Sequence, residues 1–583
     1  MERFDRSIAP AVQSRDPHIT RFLPILWILL LSWLVLFHRL GNTGLLDETE
    51  PLFAEAARQM TVTGDWITPY FNGVTRFDKP PLIYWLMAIA YDTIGVNEWA
   101  ARLPSAISGT LLIGFCFYTL RFFEQQLKPH AEHLKILPFL GSAIFALNLQ
   151  TLFFGRLGYS DMLLSVCFGG SLLSFFLGYA HSENPPVQTR FYLAFYGWLA
   201  LAVLTKGPVG VVLPGTIVLI FLICVGKVQE VLREIKLVPG IVIFLGLSVP
   251  WYVLAYLRNG DVFIDSFFGY HNVERFTHVV NQHQGAWYFH SLIVLIGFFP
   301  WSIYLPAAIA HHLRDRSWRQ QPRSSHLGLF ALIWFAIVLG FFTIAVTKYI
   351  TYTLPLVPAA AILVSLWWSD QREKTAPNWG LKANVYVSLA LCVTLAAVTF
   401  YSPNWLNRDP SMPQLGLRMQ DAGLPQIGAL IWLGGAIGGT FLILKRKLHL
   451  FWGVNLATYA AFILFFITPF IGILDIERQL PLREVAQIVN QVRQENEPIV
   501  MATDSFEKPS LVFYTHQPIT FFNRSAKIKP YLEQVRQQKT QRSILMVTTD
   551  RTLKEANILP QSYQRLNQVG VYQVIRFSVL NQS

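Results

Sequence analysis

The sequence predicts a polytopic α-helical membrane protein with a small α/β domain at its C-terminal end. Of its 583 residues, 53% are hydrophobic and only 14% are charged, whereas about a quarter of the residues in a soluble domain are charged. Apolar runs of roughly 17–25 residues, long enough to cross a hydrocarbon core of about 30 Å, recur along most of the chain. From residue 474 onward the chain is polar and its apolar runs are short. The two parts therefore differ in the solvent that surrounds them.

The long apolar runs predict about thirteen transmembrane helices by length. They lie at residues 22–40, 104–122, 135–154, 159–181, 190–206, 209–226, 237–257, 287–310, 327–346, 351–369, 383–401, 425–444 and 449–473. One further stretch, PPLIYWLMAIAYDTIG, is short and interrupted, so it is expected to lie at the interface or to re-enter from one side. The formal net charge of +12 comes from basic residues between the runs, which argues against a nucleic-acid partner.

The distribution of Lys and Arg predicts which side each loop faces. With a cytoplasmic N-terminus, the inner loops carry basic clusters such as RDRSWRQQPR, and alternate loops are poorer in basic residues. We therefore expect a multi-pass protein of the plasma (inner) membrane. The outward parts are then the loops 41–103, 258–286 and 402–424 and the region 474–583.

The chain is divided into a membrane domain, residues 1–473, and a soluble domain, residues 474–583. In the second part, REVAQIVNQVRQ has apolar residues at helical spacing, and the runs PIVMAT, PITFF, SILMVTT and VYQVIRF are typical of strands. This alternation predicts a small extracytoplasmic α/β domain that folds on its own. It contains no glycine-rich phosphate loop, so we expect neither a nucleotide site nor a catalytic group there.

Outward segments should be poor in Lys and Arg, so the basic residues that remain there are candidates for function. Several stand beside apolar runs, in FGRLGYSDM, VLTKGPVG and VTKYITYTLP, where an unpaired cation costs about 2.5–3.5 kcal/mol or more. Any one of them could snorkel to the outer interface. Together they favour a pocket for an anion, with phosphate as the natural candidate. The candidate phosphate-binding cations are Arg58, Arg76, Lys79, Arg156, Lys206, Arg275 and Lys348.

Acidic residues gather on the same predicted side, at Asp47, Glu48, Asp78 and Asp161. A helix is expected from Thr49, which can act as its cap, with Pro51 in the first turn. Asp47 and Glu48 could simply favour this helix start through the helix dipole. Because Thr49 already supplies a cap, Asp47 is instead a candidate to take a proton from an acceptor hydroxyl or to hold that hydroxyl for attack.

Three motifs occur in the order LLDETEPLFAEAARQM, GDWITPYFNGVTRFDKPPLIYW and RLGYSDM. Together they resemble the polyprenyl-phosphate-sugar glycosyltransferases, which include the lipid A aminoarabinose transferases and the protein O-mannosyltransferases. The resemblance covers residues 1 to about 360, and the plan of spans extends it to residue 473. It implies a GT-C fold and transfer of a sugar, with inversion, from a membrane-anchored polyprenyl phosphate to an acceptor on the non-cytoplasmic face. A lipid A-type glycolipid is the acceptor that it favours.

The resemblance also implies roles by position. Asp47 matches the acidic residue of the family after the first span, Asp161 matches its second acid, and Glu48 completes the predicted catalytic set. Lys79 matches the lysine that meets the donor phosphate. Tyr352, which follows Lys348 in TKYITYTLPLVP, falls in the segment that lines the donor side.

A divalent cation is the one candidate cofactor, with Asp78 and His271 as its candidate ligands. His271 and Arg275, in HNVERF, resemble the family motif in the loop after the seventh span. Aminoarabinose transferases tend to have Glu before the lysine, where this chain has Asp78, and their loop places His one residue later than His271. These departures leave both the metal and the identity of the sugar open.

Two other classes of function remain as alternatives. A transporter or lipid flippase would show repeated halves and ionisable residues at the midplane, whereas here the unusual charges gather at one face. A glycan ligase that uses another lipid-linked donor shares the outer-face chemistry but explains the acidic pair after the first span less well. The expected partners are a polyprenyl-phosphate sugar donor, a membrane lipid or glycan acceptor and the lipid bilayer, without nucleic acid.

Overall fold

The computed structural model describes residues 17–127, 136–274, 285–314, 317–373, 379–406, 412–503, 507–538 and 543–578. Apolar helices form most of the first part of the chain. Their bounds are Pro17–Ser32 with its continuation Trp33–Phe37, Thr49–Thr63, Leu82–Ile94, Glu98–Leu127, Leu137–Ala146, Leu149–Phe154, Ser160–Ala180, Pro185–Lys206, Val209–Val225, Val228–Glu234, Leu237–Asn259, Asp261–Ile264, Asp265–Glu274, Phe289–Gly297, Leu305–Arg314, Leu327–Ile344, Val357–Glu373, Trp379–Tyr401, Leu415–Asp421, Leu424–Leu444, Phe451–Phe462, Ile463–Ile467 and Thr468–Arg478.

The centre of the bundle is the helix Ser160–Ala180, the most completely buried of the long apolar helices. It packs against Glu98–Leu127 on one side and Pro185–Lys206 on another. A helix that is apolar all round belongs in a core or a membrane, and Ser160–Ala180 has that composition. Its first turn carries Asp161, so this acid lies at one end of the bundle.

Among the described residues, nine helices are long and apolar enough to cross a membrane, and four further apolar helices are shorter. Two predicted runs are broken. Run 135–154 divides at Asn148, whose side chain accepts a hydrogen bond from Thr151 N and caps a second helix. Run 287–310 divides between Gly297 and Leu305. The polytopic helical plan is confirmed, and the count of thirteen spans stays a prediction.

The stretch PPLIYWLMAIAYDTIG forms the helix Leu82–Ile94, of 13 residues. At about 1.5 Å per residue this helix is about 20 Å long, shorter than a hydrocarbon core. Its shortness agrees with the sequence. An interfacial or re-entrant position for it stays a prediction.

The prediction that Thr49 caps the next helix is wrong. Thr49 is the first residue of the helix Thr49–Thr63, and Glu48 occupies the cap position without a side-chain capping hydrogen bond. The side chain of Thr49 instead hydrogen-bonds Tyr159. The helix ends at Gly64, whose left-handed conformation (φ 71°) lets its N–H reach Met60 O.

The strands comprise a hairpin and one mixed sheet. The hairpin pairs β1 (Tyr70–Phe71) with β2 (Val74–Thr75). The sheet contains β3 (Ile499–Ala502), β4 (Ile519–Phe522), β5 (Ser543–Thr549), β6 (Gln564–Val569) and β7 (Tyr572–Ser578) in the order β4-β3-β5-β7-β6. Strands β4, β3 and β5 are parallel, whereas β7 is antiparallel to β5 and β6. The predicted α/β domain is therefore present.

Both faces of this sheet are covered. Successive residues of a strand point to opposite faces, and accordingly Met501 packs in one apolar cluster and Val500 in another. The first cluster includes Val485 and Val489 from the helix Leu480–Val492, which is the amphipathic segment read from the sequence. Helices Ile528–Gln538 and Asp550–Glu555 flank the other face, while the short helix Ser510–Thr515 extends toward the membrane bundle.

Candidate active site

A partly buried ion pair lies at the end of the central helix. Lys206, the last residue of the helix Pro185–Lys206, donates a hydrogen bond of 2.5 Å to Asp161 Oδ1. Asp161 also accepts a hydrogen bond from the side chain of Thr351. The ammonium of Lys206 lies 5.7 Å from the ring centroid of Tyr352, within range of a cation–π contact. The helices Ser160–Ala180 and Pro185–Lys206 and the segment around Thr351 therefore meet at this ion pair.

The motif RFDK forms a second charged group. Asp78 accepts from Arg76 Nη2 at 2.6 Å and from the Tyr84 hydroxyl at 2.8 Å. The ammonium of Lys79 donates to Asp78 O at 2.7 Å and lies 3.9 Å from Asp78 Oδ2. The charge of Lys79 also acts on Asp161. The RFDK group and the Lys206 pair are therefore neighbours in one site.

Aromatic rings surround these charges. Phe53 lies between the ring of Tyr84 at 5.5 Å and that of Tyr159 at 6.4 Å, with the Arg76 guanidinium 6.0 Å from its centroid. Tyr352 lies 4.6 Å from Phe342 and 6.0 Å from His290. Rings around a cluster of charges restrict water and strengthen the electrostatic interactions inside it.

Asp47 is buried, with 7% of its surface exposed, and faces the C-terminal domain. Ser510 donates to both carboxylate oxygens, from its N–H to Oδ1 at 2.9 Å and from its hydroxyl to Oδ2 at 2.6 Å. Burial raises the pKa of Asp47 to about 6, and the Ser510 hydrogen bonds and the charges of Lys508 and Arg478 oppose that rise. Glu48 is exposed, and partial desolvation raises its pKa as well.

A buried carboxylate that sequence reasoning missed joins the two acidic loops. Glu50 is completely buried and accepts from Leu46 N and Gly158 N, each at 2.7 Å. Leu46 immediately precedes Asp47, and Gly158 lies three residues before Asp161. Glu50 therefore fixes the loops of both candidate acids relative to each other.

Arg102 neutralises Glu50. Its guanidinium donates to both carboxylate oxygens, at 2.8 and 2.9 Å, and also to the carbonyls of Leu40, Thr43 and Gly44. Arg102 lies in the predicted outward loop 41–103 and Glu50 in the first turn of the helix Thr49–Thr63, but nothing in the sequence pattern pairs them. Their separation of 52 residues carries no periodicity from which a contact could be read.

Three of the predicted phosphate ligands have partners other than Asp161 and Asp78. Arg58 forms a two-pronged pair with Glu55 at 2.7 Å. Arg156 donates to His38 O at 2.7 Å, at the end of the first helix. Lys348 donates to carbonyls at the end of the helix Leu327–Ile344, at 2.6 and 2.7 Å for the two closest. A cation commonly stabilises a helix C-terminus in the way that Arg156 and Lys348 do here. A phosphate role for all three cations stays a prediction that their contacts do not favour.

Of the two predicted metal ligands, only Asp78 has its side chain in the part of the chain that the structure describes. Within it, no group of three or more His, Cys, Asp or Glu side chains is arranged to hold a metal ion. Asp78 is engaged by Arg76 and Tyr84. The side chain of His271 and the whole of Arg275 lie outside the described residues, so the divalent cation stays a prediction.

Family comparisons match both parts of the chain. Residues 78–253 match the family described as dolichyl-phosphate-mannose-protein mannosyltransferase. Residues 492–582 match the cyanobacterial RgtA-type glycosyltransferase C-terminal domain. The sequence motifs pointed to the first relationship, whereas no motif identified the second.

Individual relatives extend the match over much of the chain. The undecaprenyl phosphate-alpha-4-amino-4-deoxy-L-arabinose arabinosyl transferase of Shewanella sediminis is 31% identical over 370 residues, which are 62% of this chain and 63% of that protein. The enzyme of the same name from Aeromonas salmonicida is 26% identical over 385 residues, 65% of this chain and 66% of that protein. The chain thus spans slightly less than two thirds of the length of these two relatives.

A solved structure shows the same fold over nearly the whole length. ArnT from Cupriavidus metallidurans bound to undecaprenyl phosphate has a TM-score of 0.74 at 20% identity, covering 96% of this chain and 98% of that one. The fold is therefore that of a GT-C membrane glycosyltransferase. Together with the sequence matches, this shows that the chain belongs to the GT-C glycosyltransferases of the lipid A aminoarabinose transferase type. The transporter alternative is not favoured by these relatives.

Proposed function

We propose that this protein transfers a sugar from a polyprenyl-phosphate donor to a hydroxyl group of a membrane glycolipid on the non-cytoplasmic face of the inner membrane. Two similar proteins are named for undecaprenyl phosphate-linked aminoarabinose, and the structural neighbour binds undecaprenyl phosphate. These names support the donor class. A lipid A-type glycolipid is the favoured acceptor.

The observation that carries this proposal is the cluster around Asp161. Among the described residues, the cations Lys206, Lys79 and Arg76 form ion pairs with two carboxylates, Asp161 and Asp78. None of these side chains is more than 20% exposed. A phosphate that enters this site would gain charge-assisted hydrogen bonds in surroundings with little water.

The cations of this cluster can stabilise the leaving group of an inverting sugar transfer. The acceptor oxygen forms a bond to the anomeric carbon while the bond from that carbon to the phosphate oxygen breaks. Negative charge grows on the departing polyprenyl phosphate, where Lys206 and Lys79 stabilise it. The proton of the acceptor hydroxyl passes to a carboxylate, and no nucleotide or redox partner is needed.

We assign Asp47 the role of that proton acceptor. Its pKa of about 6 lies close to neutral pH, where a general base is most effective. Asp47 is two residues from Thr49, so their Cα atoms lie within about 7 Å, and the side chain of Thr49 bonds Tyr159 in the aromatic surround. Asp161 is the less favourable base because Lys206 already holds it.

The substitution Asp47→Asn tests this assignment without removing the contact to Ser510. The amide oxygen still accepts from Ser510 N, and the amide group can donate to the Ser510 hydroxyl, which is also an acceptor. Only the ability to take a proton is lost. We expect turnover to fall by roughly 10²–10⁴-fold with donor binding preserved. The exposed neighbour Glu48, as Glu48→Gln, is the matched control and should lose less.

The assay is transfer from a purified polyprenyl-phosphate sugar to a lipid A-type acceptor, with donor binding measured separately. Near wild-type turnover in Asp47→Asn would refute Asp47 as the base. The sugar and acceptor are identified by mass spectrometry of envelope lipids and glycans from cells with and without the protein. Loss of one sugar from one glycolipid is expected, and unchanged glycolipids would contradict the acceptor class.

A further inference from the structure

The loop that carries Asp47 is held by the C-terminal domain and the helix leading into it. Asp475 accepts from Gly44 N at 2.7 Å, and Tyr514 accepts from Leu45 N at 2.9 Å. Ser510 then binds both oxygens of Asp47. Three backbone or side-chain groups within four residues of the loop thus have their partners in the C-terminal part of the chain.

Other contacts fix the position of the helix Ser510–Thr515. The hydroxyl of Tyr514 also donates to Glu98 at 2.9 Å. Nearby, Asn72 exchanges two hydrogen bonds of 2.8 Å with the backbone of Ile519. Tyr514 and Ile519 both follow Ser510 in the chain, so these bonds attach the segment after Ser510 to the membrane domain.

We propose that Ser510 is a positioning residue for Asp47, so that the C-terminal domain completes the catalytic site. The inference rests on the proposed function, in which Asp47 is the base. An ionised carboxylate has about four lone-pair sites, and Ser510 occupies one on each oxygen. The remaining sites can accept an acceptor hydroxyl while the two Ser510 bonds fix the plane of the carboxylate. Ser510 makes no contact with the sugar donor in this scheme.

The charged and titratable groups around Asp47 come from three elements. Lys508 precedes Ser510, Arg478 ends the helix Thr468–Arg478, and Tyr572 begins β7. Glu48 adjoins Asp47 in the chain and is itself influenced by Glu507. Ser510 supplies two hydrogen bonds that lower the pKa of Asp47 against the effect of burial. Removing one of them should therefore raise this pKa.

The test compares Ser510→Ala with Ser510→Thr in the full-length protein. Ser510→Ala loses the bond to Oδ2 and keeps the backbone bond to Oδ1. We expect kcat to fall by about tenfold and the acid limb of the kcat/KM profile to move to higher pH by about one pH unit. Ser510→Thr keeps a hydroxyl and should restore both. Ser510→Cys, close in size but a weak donor, should shift the limb in the same direction if the alanine variant does not fold.

The matched control is Ser543→Ala. The hydroxyl of Ser543 is also buried in the C-terminal domain, but it donates to Glu497 at 2.5 Å, away from Asp47. This variant should leave the pH profile unchanged. An Asp47→Asn enzyme with normal turnover would refute the assignment of Asp47 as the base. If Asp47→Asn is inactive but Ser510→Ala keeps the wild-type kcat and pH profile, the positioning role alone is refuted. A fall in the kcat of Ser510→Ala with no movement of the acid limb would also refute it.

Discussion

The buried pair Glu50–Arg102 should be among the most sensitive points of the fold. Replacing the arginine in Arg102→Met leaves Glu50, which is 0% exposed, as an unpaired charge in the interior. Loss of one partner from a buried ion pair costs about 3–5 kcal/mol. The backbone bonds from Leu46 N and Gly158 N to Glu50 offset part of that cost, so we expect about 3 kcal/mol from the lower end of the same range.

The double variant separates the charge from the packing. In Glu50→Gln/Arg102→Met no charge remains buried, while the amide still accepts from one backbone N–H. Its cost should be smaller than the sum of the two single costs by about 1–3 kcal/mol. The exposed pair Arg551–Glu555, with 78% of the arginine and 39% of the glutamate side chain accessible, is the control, and Arg551→Met should cost about 0–1 kcal/mol.

The free energy of unfolding in mixed detergent micelles measures these differences, with transfer activity followed in parallel. Arg102→Met should also lower kcat, because Glu50 joins the loop of Asp47 to that of Asp161. If Arg102→Met and Arg551→Met destabilise the protein equally, or if the costs in the double variant are strictly additive, the Glu50–Arg102 pair does not act as described.

Three further predictions concern the donor, the orientation and the domains. Lys79→Ala should raise the donor KM strongly, with partial recovery in Lys79→Arg because the charge remains; unchanged donor affinity would leave Lys79 with a structural role only. Single cysteines at Asn72 and Gln517 should react with an impermeant thiol reagent from outside the cell and one at Gln320 should not; the reverse pattern would invert the proposed sidedness. Deletion after Leu474 should abolish acceptor transfer while donor binding stays measurable, and full transfer by the shortened protein would contradict the place of Ser510 in the site.

Hydropathy and periodicity predicted the features that depend on solvent. The run 159–181 corresponds to the helix Ser160–Ala180, and SILMVTT corresponds to β5, Ser543–Thr549. Such features repeat along the chain, because one face or one whole element meets the same surroundings. The resemblance in three short motifs placed Asp161 and Lys79 in one site, and the charge of Lys79 does act on Asp161.

The partner of each cation could not be predicted in the same way. Lys206 and Lys348 both follow apolar runs on the predicted outer side, and the sequence treats them alike. Lys206 meets a carboxylate, whereas Lys348 meets carbonyl groups at a helix end. The cost of a buried cation shows only that a partner is needed. Which partner it finds is decided by tertiary packing.

The division at residue 474 shows the same limit at the level of domains. The chain changes composition there, and a change of solvent is what composition records. The helix Thr468–Arg478 nevertheless runs through this point, and Asp475 within it holds Gly44 N near the candidate base. Ser510 lies 463 residues from Asp47 in the chain and still binds both of its oxygens. A boundary drawn from hydropathy separates the parts that meet lipid from those that meet water, while the acid assigned to catalysis is held by contacts across that boundary.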